Sequence, residues 1–238
     1  MVNNLMDKAF QNVSRLRGNN TALHWHKCFG RIQKMPGANN TFKRIANAPE
    51  TEQLGDYLAE VLYALIFAGL EFQVEIEPYG SKGADLRVSR DGCSAIVEIM
   101  RMRKINPGPS QYSLTDDEDY LEVYGNPMRD IRKVFEKLSA KFPQAGQDDS
   151  IIAIWNNDED LEEVDVEVAV RDLLEDASQR NLTLPSRLSF VLYGSSWVSH
   201  QQLYCFSMRN EDEPDHVTWM QELESSTVGQ LVQYAISL

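Results

Sequence analysis

Two acidic residues, Asp85 and Glu98, lie at matched positions on either side of the dipeptide Asp91-Gly92, each six residues from the nearer turn residue. Asp-Gly between two apolar-rich runs is typical of a type I′ hairpin turn, in which both central residues need a positive φ. We expect this hairpin to place the two carboxylates on directly opposed positions, with Cβ atoms about 5 Å apart. Facing carboxylates repel each other, whereas a divalent cation between them uses both as hard oxygen ligands. The pattern therefore predicts a metal site.

Glu98 and a third acidic residue, Glu60, both lie in apolar surroundings. The run from Ala95 to Met100 is apolar except for Glu98, which predicts a central strand buried on both faces. Residues 51–68 show the apolar spacing of a helix, with Glu60 among the apolar positions on one flank. A carboxylate in such a position needs a partner or a metal, because burying an unpaired charge is costly. The alternative is that Glu60 borders solvent and has no role.

These acidic residues resemble the motif of the PD-(D/E)XK nuclease superfamily, also called restriction-endonuclease-like. In that family an Asp begins one strand, a (D/E)-x-K follows on the next, and a Glu often lies on a preceding helix. Asp85 matches the Asp, Glu98 matches the second acid, and Glu60 matches the helix Glu, with Glu52 as the fallback. The resemblance covers residues 50–156, and its motifs are short and of moderate specificity.

The resemblance implies a nuclease that hydrolyses phosphodiester bonds in DNA with Mg²⁺ or Mn²⁺ as cofactor. Asp85 and Glu98 would be metal ligands, the backbone carbonyl of Ile99 would join them, and Glu60 would bind the metal or its water. In this family the metal lowers the pKa of water and stabilises the charge that builds on the phosphate. Nucleic acid, and DNA in particular, is the expected partner, and a homodimer is expected for an enzyme that cuts both strands.

The sequence departs from the family pattern at Met100, which stands where the family has its lysine, and at Ala84, which replaces the proline. Period two places Met100 on the same face as Glu98, and a thioether cannot supply the charge of an ammonium group. A cation from elsewhere is one solution, whereas Arg101 points to the opposite face. The candidates are Lys82, Lys133 and Lys137.

Two further readings of the missing lysine stay open at this stage. Metals alone could support slow hydrolysis. Alternatively, the chain is a catalytically inactive relative that acts as a nucleic-acid-binding or protein-binding subunit. The predicted helix from Pro127 to Phe142 is relevant to nucleic-acid binding, because its cations recur every four residues on one broad side. Such a side is either a solvated face or a surface that binds a phosphate backbone.

The order of predicted elements favours an α/β fold: helix, three-strand meander, helix, strand, helix, two strands and helix. This order predicts a mixed central β-sheet with helices on both sides, and the resemblance implies a restriction-endonuclease-like core. Residues 1–48 read as short helices broken at Gly18 and Pro36. We therefore expect a helical N-terminal extension over 1–48 and a nuclease-like α/β domain over 49–238.

Composition predicts an ordinary globular protein in a reducing compartment. Of 238 residues, 42% are hydrophobic and 25% are charged, and the three cysteines are widely spaced and odd in number. The longest apolar stretch, 61–70, is too short to span a bilayer. A cytoplasmic location without membrane contact follows as an expectation.

Charge is unevenly distributed along the chain. The net charge is −13, yet residues 1–50 carry eight Lys and Arg against only Asp7 and Glu50 as acids. The basic region either contacts phosphate or pairs with acidic surface on its own body. The acidic remainder supports a third hypothesis, an acidic protein that mimics DNA and blocks a DNA-binding partner.

Overall fold

A computed structural model describes residues 2–80, 83–102, 127–143, 145, 149–156, 161–179, 181–195 and 203–208. Two features predicted from the sequence lie outside these residues. They are the candidate cation Lys82 and the closing helix of the predicted order, at about 216–236.

Within the described ranges the chain forms six helices and six strands in the predicted order. The helices are α1 (Val2–Arg17), α2 (Asn19–Ile32), α3 (Ala38–Asn47), α4 (Thr51–Gly69), α5 (Pro127–Lys141) and α6 (Glu163–Ser178). The strands are β1 (Gln73–Ile76), β2 (Leu86–Arg90), β3 (Cys93–Met102), β4 (Ser150–Asn156), β5 (Leu188–Ser195) and β6 (Leu203–Ser207). None of these helices is long and apolar enough to cross a membrane.

The strands form one mixed sheet in the order β1-β2-β3-β4-β5-β6. The first three strands make an antiparallel meander, β3, β4 and β5 run parallel, and β6 pairs antiparallel with β5. Parallel neighbours need a crossover, and α5 and α6 supply the connections between them. The predicted mixed α/β architecture is confirmed.

The hairpin between β2 and β3 has the predicted turn and register. Asp91 and Gly92 both adopt positive φ, at 53° and 82°, as a type I′ turn requires. The strands pair from Arg90 with Cys93 down to Leu86 with Val97. This register brings Asp85, just before β2, towards the part of β3 that contains Glu98.

Helices cover both faces of the sheet, and β3 separates the two hydrophobic clusters. Its residues Val97 and Ile99 belong to a cluster with α4 and the three N-terminal helices. Met100 and Met102 belong to a second cluster with α5 and α6. Because side chains alternate along a strand, Glu98 points to the same side as Met100, towards α5. The domain boundary at 48 stays a prediction, since α1, α2 and α3 share one core cluster with α4.

Candidate functional site

Asp85 links the start of β2 to the middle of β3. Its Oδ2 accepts a hydrogen bond from the backbone N–H of Ile99 at 2.7 Å, and its backbone carbonyl accepts one from the N–H of Glu77 at 2.8 Å. The backbone pairing between β2 and β3 ends at Leu86 and Val97. The next amide of β3 that points towards the β2 side is that of Ile99, and the Asp85 side chain binds it. The N–H and C=O of one strand residue point the same way. The Ile99 carbonyl is therefore directed to the side on which Asp85 lies.

Glu98 is buried, with 2% of its surface exposed. Its ion-pair partner is a lysine that was not among the three predicted candidate cations. The Lys141 Nζ atom, at the end of α5, lies 3.1 Å from Glu98 Oε2. Met100, at the family's lysine position, instead packs in the hydrophobic cluster beneath α5. Lys137 donates to the backbone carbonyl of Arg101 at 3.4 Å. The lysine that pairs with Glu98 thus lies one helical turn beyond Lys137.

Glu60 is also buried, which excludes the alternative that it borders solvent. Both of its carboxylate oxygens pair with Arg44 of α3, one of them with Nη1 at 3.2 Å. The Arg44 Nε atom lies 3.0 Å from Glu77 Oε1, and its guanidinium carbon lies 4.7 Å from the ring centroid of Tyr57. The partner that this buried carboxylate needs is therefore an arginine from the N-terminal helices.

Glu77 is a site residue that the sequence did not reveal. It follows β1, where alternation predicts an outward-facing side chain like that of Glu75, yet Glu77 is buried. The reason is a backbone φ of 51°, in the left-handed region, which turns the side chain away from the strand's pattern. A non-glycine residue in this region carries strain that surrounding contacts must offset. Here the backbone bond to Asp85 and the Arg44 guanidinium hold it.

The charged groups of the site perturb one another. Burial, and then the charge of Asp85, raises the pKa of Glu60 to about 8 against the opposing effect of Arg44. The same two causes raise the pKa of Glu98 against the effect of Lys141. Burial also raises the pKa of Asp85, although Lys141, the Ile99 amide and Arg44 all favour its charged form. Crowded acids of this kind gain from a bound cation.

A separate ion-pair cluster lies between α4 and β3. The Arg101 Nη2 atom lies 2.6 Å from Glu52 Oε2, and its Nε lies 2.9 Å from Asp56 Oδ1. Arg101 therefore points away from Glu98, as predicted. Glu52, the fallback for the helix acid, belongs to this cluster, which leaves Glu60 as the helix acid near Asp85.

The described residues contain no group of three or more His, Cys, Asp or Glu side chains arranged to hold a metal ion. The predicted metal ligands, the Asp85 and Glu98 carboxylates and the Ile99 carbonyl, offer hard oxygen atoms only. Hard oxygen atoms are the ligands that Mg²⁺ takes in proteins, commonly through one or two carboxylates with several waters retained. In comparisons with known proteins, no family model, no curated protein and no solved structure matches this chain.

Proposed function

We propose that this protein is a divalent-metal-dependent nuclease that hydrolyses phosphodiester bonds in DNA, with Mg²⁺ or Mn²⁺ as cofactor. One observation carries the proposal. The Lys141 ammonium lies against Glu98, next to the Asp85 carboxylate that binds the Ile99 amide. Two carboxylates and an ammonium group therefore lie close together, and this combination supports a site of the (D/E)-x-K type with its cation supplied by α5.

The order of elements also supports the proposal. Helix α4, the meander of β1, β2 and β3, helix α5 and the parallel strand β4 follow one another, which is the order of the core that the resemblance implies. Asp85 lies at the start of the second strand and Glu98 lies in the third. A homodimer and a cytoplasmic location stay predictions.

The proposed roles combine what the resemblance implies with the contacts of each residue. Asp85, Glu98 and the Ile99 carbonyl would hold the divalent cation, which lowers the pKa of water and stabilises charge on the phosphate. Lys141 would donate hydrogen bonds from its ammonium group to a phosphate oxygen or to the attacking water. The Glu60 carboxylate, held by Arg44 near Asp85, would bind the metal or a metal-bound water.

The proposal is tested by cleavage of mixed DNA substrates with Mn²⁺, with Mg²⁺ and with a chelator, using wild type and Asp85→Asn. Asparagine keeps an oxygen that accepts the Ile99 N–H and removes the charge. The matched control is Asp91→Asn, the same change in the same hairpin, because a type I′ turn accepts Asn-Gly.

We expect metal-dependent cleavage that falls at least about 100-fold in Asp85→Asn and is unchanged in Asp91→Asn. Equal cleavage by Asp85→Asn and wild type would refute the proposed site. Metal binding without cleavage by wild type would favour the inactive, binding-subunit alternative.

A further inference from the structure

A polar pocket lies between α3 and α4, on the Arg44 side of the carboxylates. Its volume is about 410 Å³. One face of α3 and one face of α4 form its walls, because residues three and four apart on a helix are neighbours. The wall residues are Asn40, Lys43, Arg44 and Asn47 on α3, and Gln53 and Tyr57 on α4.

The pocket ends at the proposed catalytic carboxylates. Glu77 lines it, and Arg44 connects it to Glu60 through paired contacts. The carboxylates of Glu60, Glu77 and Asp85 raise the pKa of Arg44 although burial opposes its charge. The Arg44 guanidinium is therefore held by carboxylates at this end of the pocket, and the cation that the pocket presents to a ligand is Lys43 of the same helix.

The residue types in the pocket suit a phosphate joined to a base. Lys43 is exposed and presents an ammonium group with three N–H donors. An ammonium group is a standard partner of phosphate oxygens. The exposed Asn40 amide offers a donor and an acceptor of the kind that read a base edge. The Asn47 amide donates one N–H to the Lys43 backbone carbonyl at 2.7 Å, which leaves its oxygen as an acceptor.

The pocket's size limits what it can hold. A volume of about 410 Å³ lies in the range of small-molecule sites, which suits one nucleotide. A base pair inside a continuous duplex keeps its base stacked and cannot enter such a pocket. The ligand that fits is a nucleotide whose base is unpaired.

We propose that the pocket between α3 and α4 holds one unpaired nucleotide of a DNA strand, with Lys43 on its phosphate and the amides on its base. This inference rests on the proposed nuclease function and names its substrate class, DNA with a single-stranded segment. It also gives a role to Lys43, one of the eight cations in the basic N-terminal region.

The first test uses fluorescence anisotropy of a labelled single-stranded oligonucleotide and of a blunt duplex, with a chelator present. Asn40→Asp adds a negative charge inside the pocket, and Asn39→Asp makes the same change at an exposed neighbouring position. Both variants place an acid in the first turn of α3, where it favours the helix, so both should fold. We expect wild type to bind the single strand at least about tenfold more tightly than the duplex. Asn40→Asp should weaken single-strand binding about tenfold and Asn39→Asp less than twofold.

The second test measures the salt dependence of binding for Lys43→Ala and for Lys27→Ala, which removes the same charge from an exposed position of α2. Loss of one phosphate contact lowers the slope of log K against log salt by about 0.7 for a single strand. We expect that change in Lys43→Ala alone. Equal effects of the paired variants, equal binding of duplex and single strand, or no DNA binding by wild type would each overturn the inference.

These experiments separate the two proposals because binding is measured without metal. Single-strand binding that depends on Asn40 and Lys43, together with an absence of metal-dependent cleavage, would support the pocket and refute the nuclease. Cleavage that requires Asp85 but a pocket whose variants bind like wild type would do the reverse.

Discussion

Replacing Lys141 with methionine separates metal binding from catalysis. Methionine keeps an unbranched side chain of similar length and removes the ammonium that lies 3.1 Å from Glu98. Lys141 lowers the pKa of both Glu98 and Asp85, so its removal leaves two acids whose charge is less compensated. A metal cation is no longer repelled by the ammonium, yet the phosphate loses a hydrogen-bond donor.

The expected magnitudes follow from these contacts. Loss of one donor to a developing charge costs about 100-fold to 1,000-fold in rate. Loss of one repelling charge should leave Mn²⁺ affinity at pH 8.5 unchanged or raise it up to about tenfold. The Lys141 side chain is 24% exposed and that of Glu98 is 3% exposed. The free energy of unfolding should therefore fall by about 1–3 kcal/mol at alkaline pH.

The loss of stability in Lys141→Met should increase with pH, because burial raises the folded-state pKa of Glu98. The folded-state pKa of Glu98 is above its ordinary value of 4.5, and it rises further without Lys141. Between these values the folded state holds a proton that the unfolded state has released, so the free energy of unfolding falls as pH rises. Lys141→Met should cost least at a pH below the folded-state pKa of Glu98 and most at a pH above it.

The assays are Mn²⁺ calorimetry, single-turnover cleavage and urea unfolding of Lys141→Met beside Lys137→Met. Lys137 is one turn earlier on α5 and donates to the backbone carbonyl of Arg101, so its replacement controls for the loss of a lysine. Cleavage by the folded Lys141→Met protein at the wild-type rate would refute a catalytic role for the ammonium. A loss of Mn²⁺ binding in step with cleavage would show that Lys141 only supports the site's structure.

Three further predictions concern the same site and its supporting helix. Mn²⁺ affinity should rise with pH up to about pH 8, because the raised pKa values of Asp85, Glu98 and Glu60 make protons compete with the cation; calorimetry in buffers of different ionisation enthalpy should detect proton release, and an affinity independent of pH would contradict this. Adding Met100→Lys to Lys141→Met should restore part of the lost cleavage, since Met100 lies on the side of β3 that faces α5, the helix that carries Lys141; single-turnover rates no higher than in Lys141→Met would refute it. The buried Asn12 of α1 donates hydrogen bonds from its amide to two backbone carbonyls at the end of α3, at 2.7 and 2.9 Å. Asn12→Ala should therefore lower the free energy of unfolding in urea by about 1–3 kcal/mol. An unchanged unfolding midpoint would contradict the role of these bonds.

The elements and the hairpin register could be predicted because their signals are local. Asp91-Gly92 specifies a turn that needs two positive φ values, and such a turn fixes the pairing of every residue in the two strands. The apolar run around Glu98 predicted a strand buried on both faces, and β3 has that burial. The apolar spacing of 51–68 likewise predicted α4 to within one residue.

The charged partners could not be predicted because they depend on packing between distant elements. Lys141 is 43 residues from Glu98. The four-residue spacing of the α5 cations predicts that they share one side of the helix, but it does not predict which lysine contacts β3. Arg44 is 16 residues from Glu60 and reaches it only because α3 packs beside α4. The burial of Glu77 depends on a positive φ at a residue that is neither Gly nor Asn. No local pattern contains that information.

Calorimetric titration of Mn²⁺ into wild type and Asp85→Asn at pH 8, with Asp91→Asn as control, tests the central claim most directly. The Asp85 and Glu98 carboxylates and the Ile99 carbonyl predict binding to wild type and Asp91→Asn that is lost or weakened at least about tenfold in Asp85→Asn. No Mn²⁺ binding by wild type, or equal binding by Asp85→Asn, would contradict the metal site and with it the proposed nuclease.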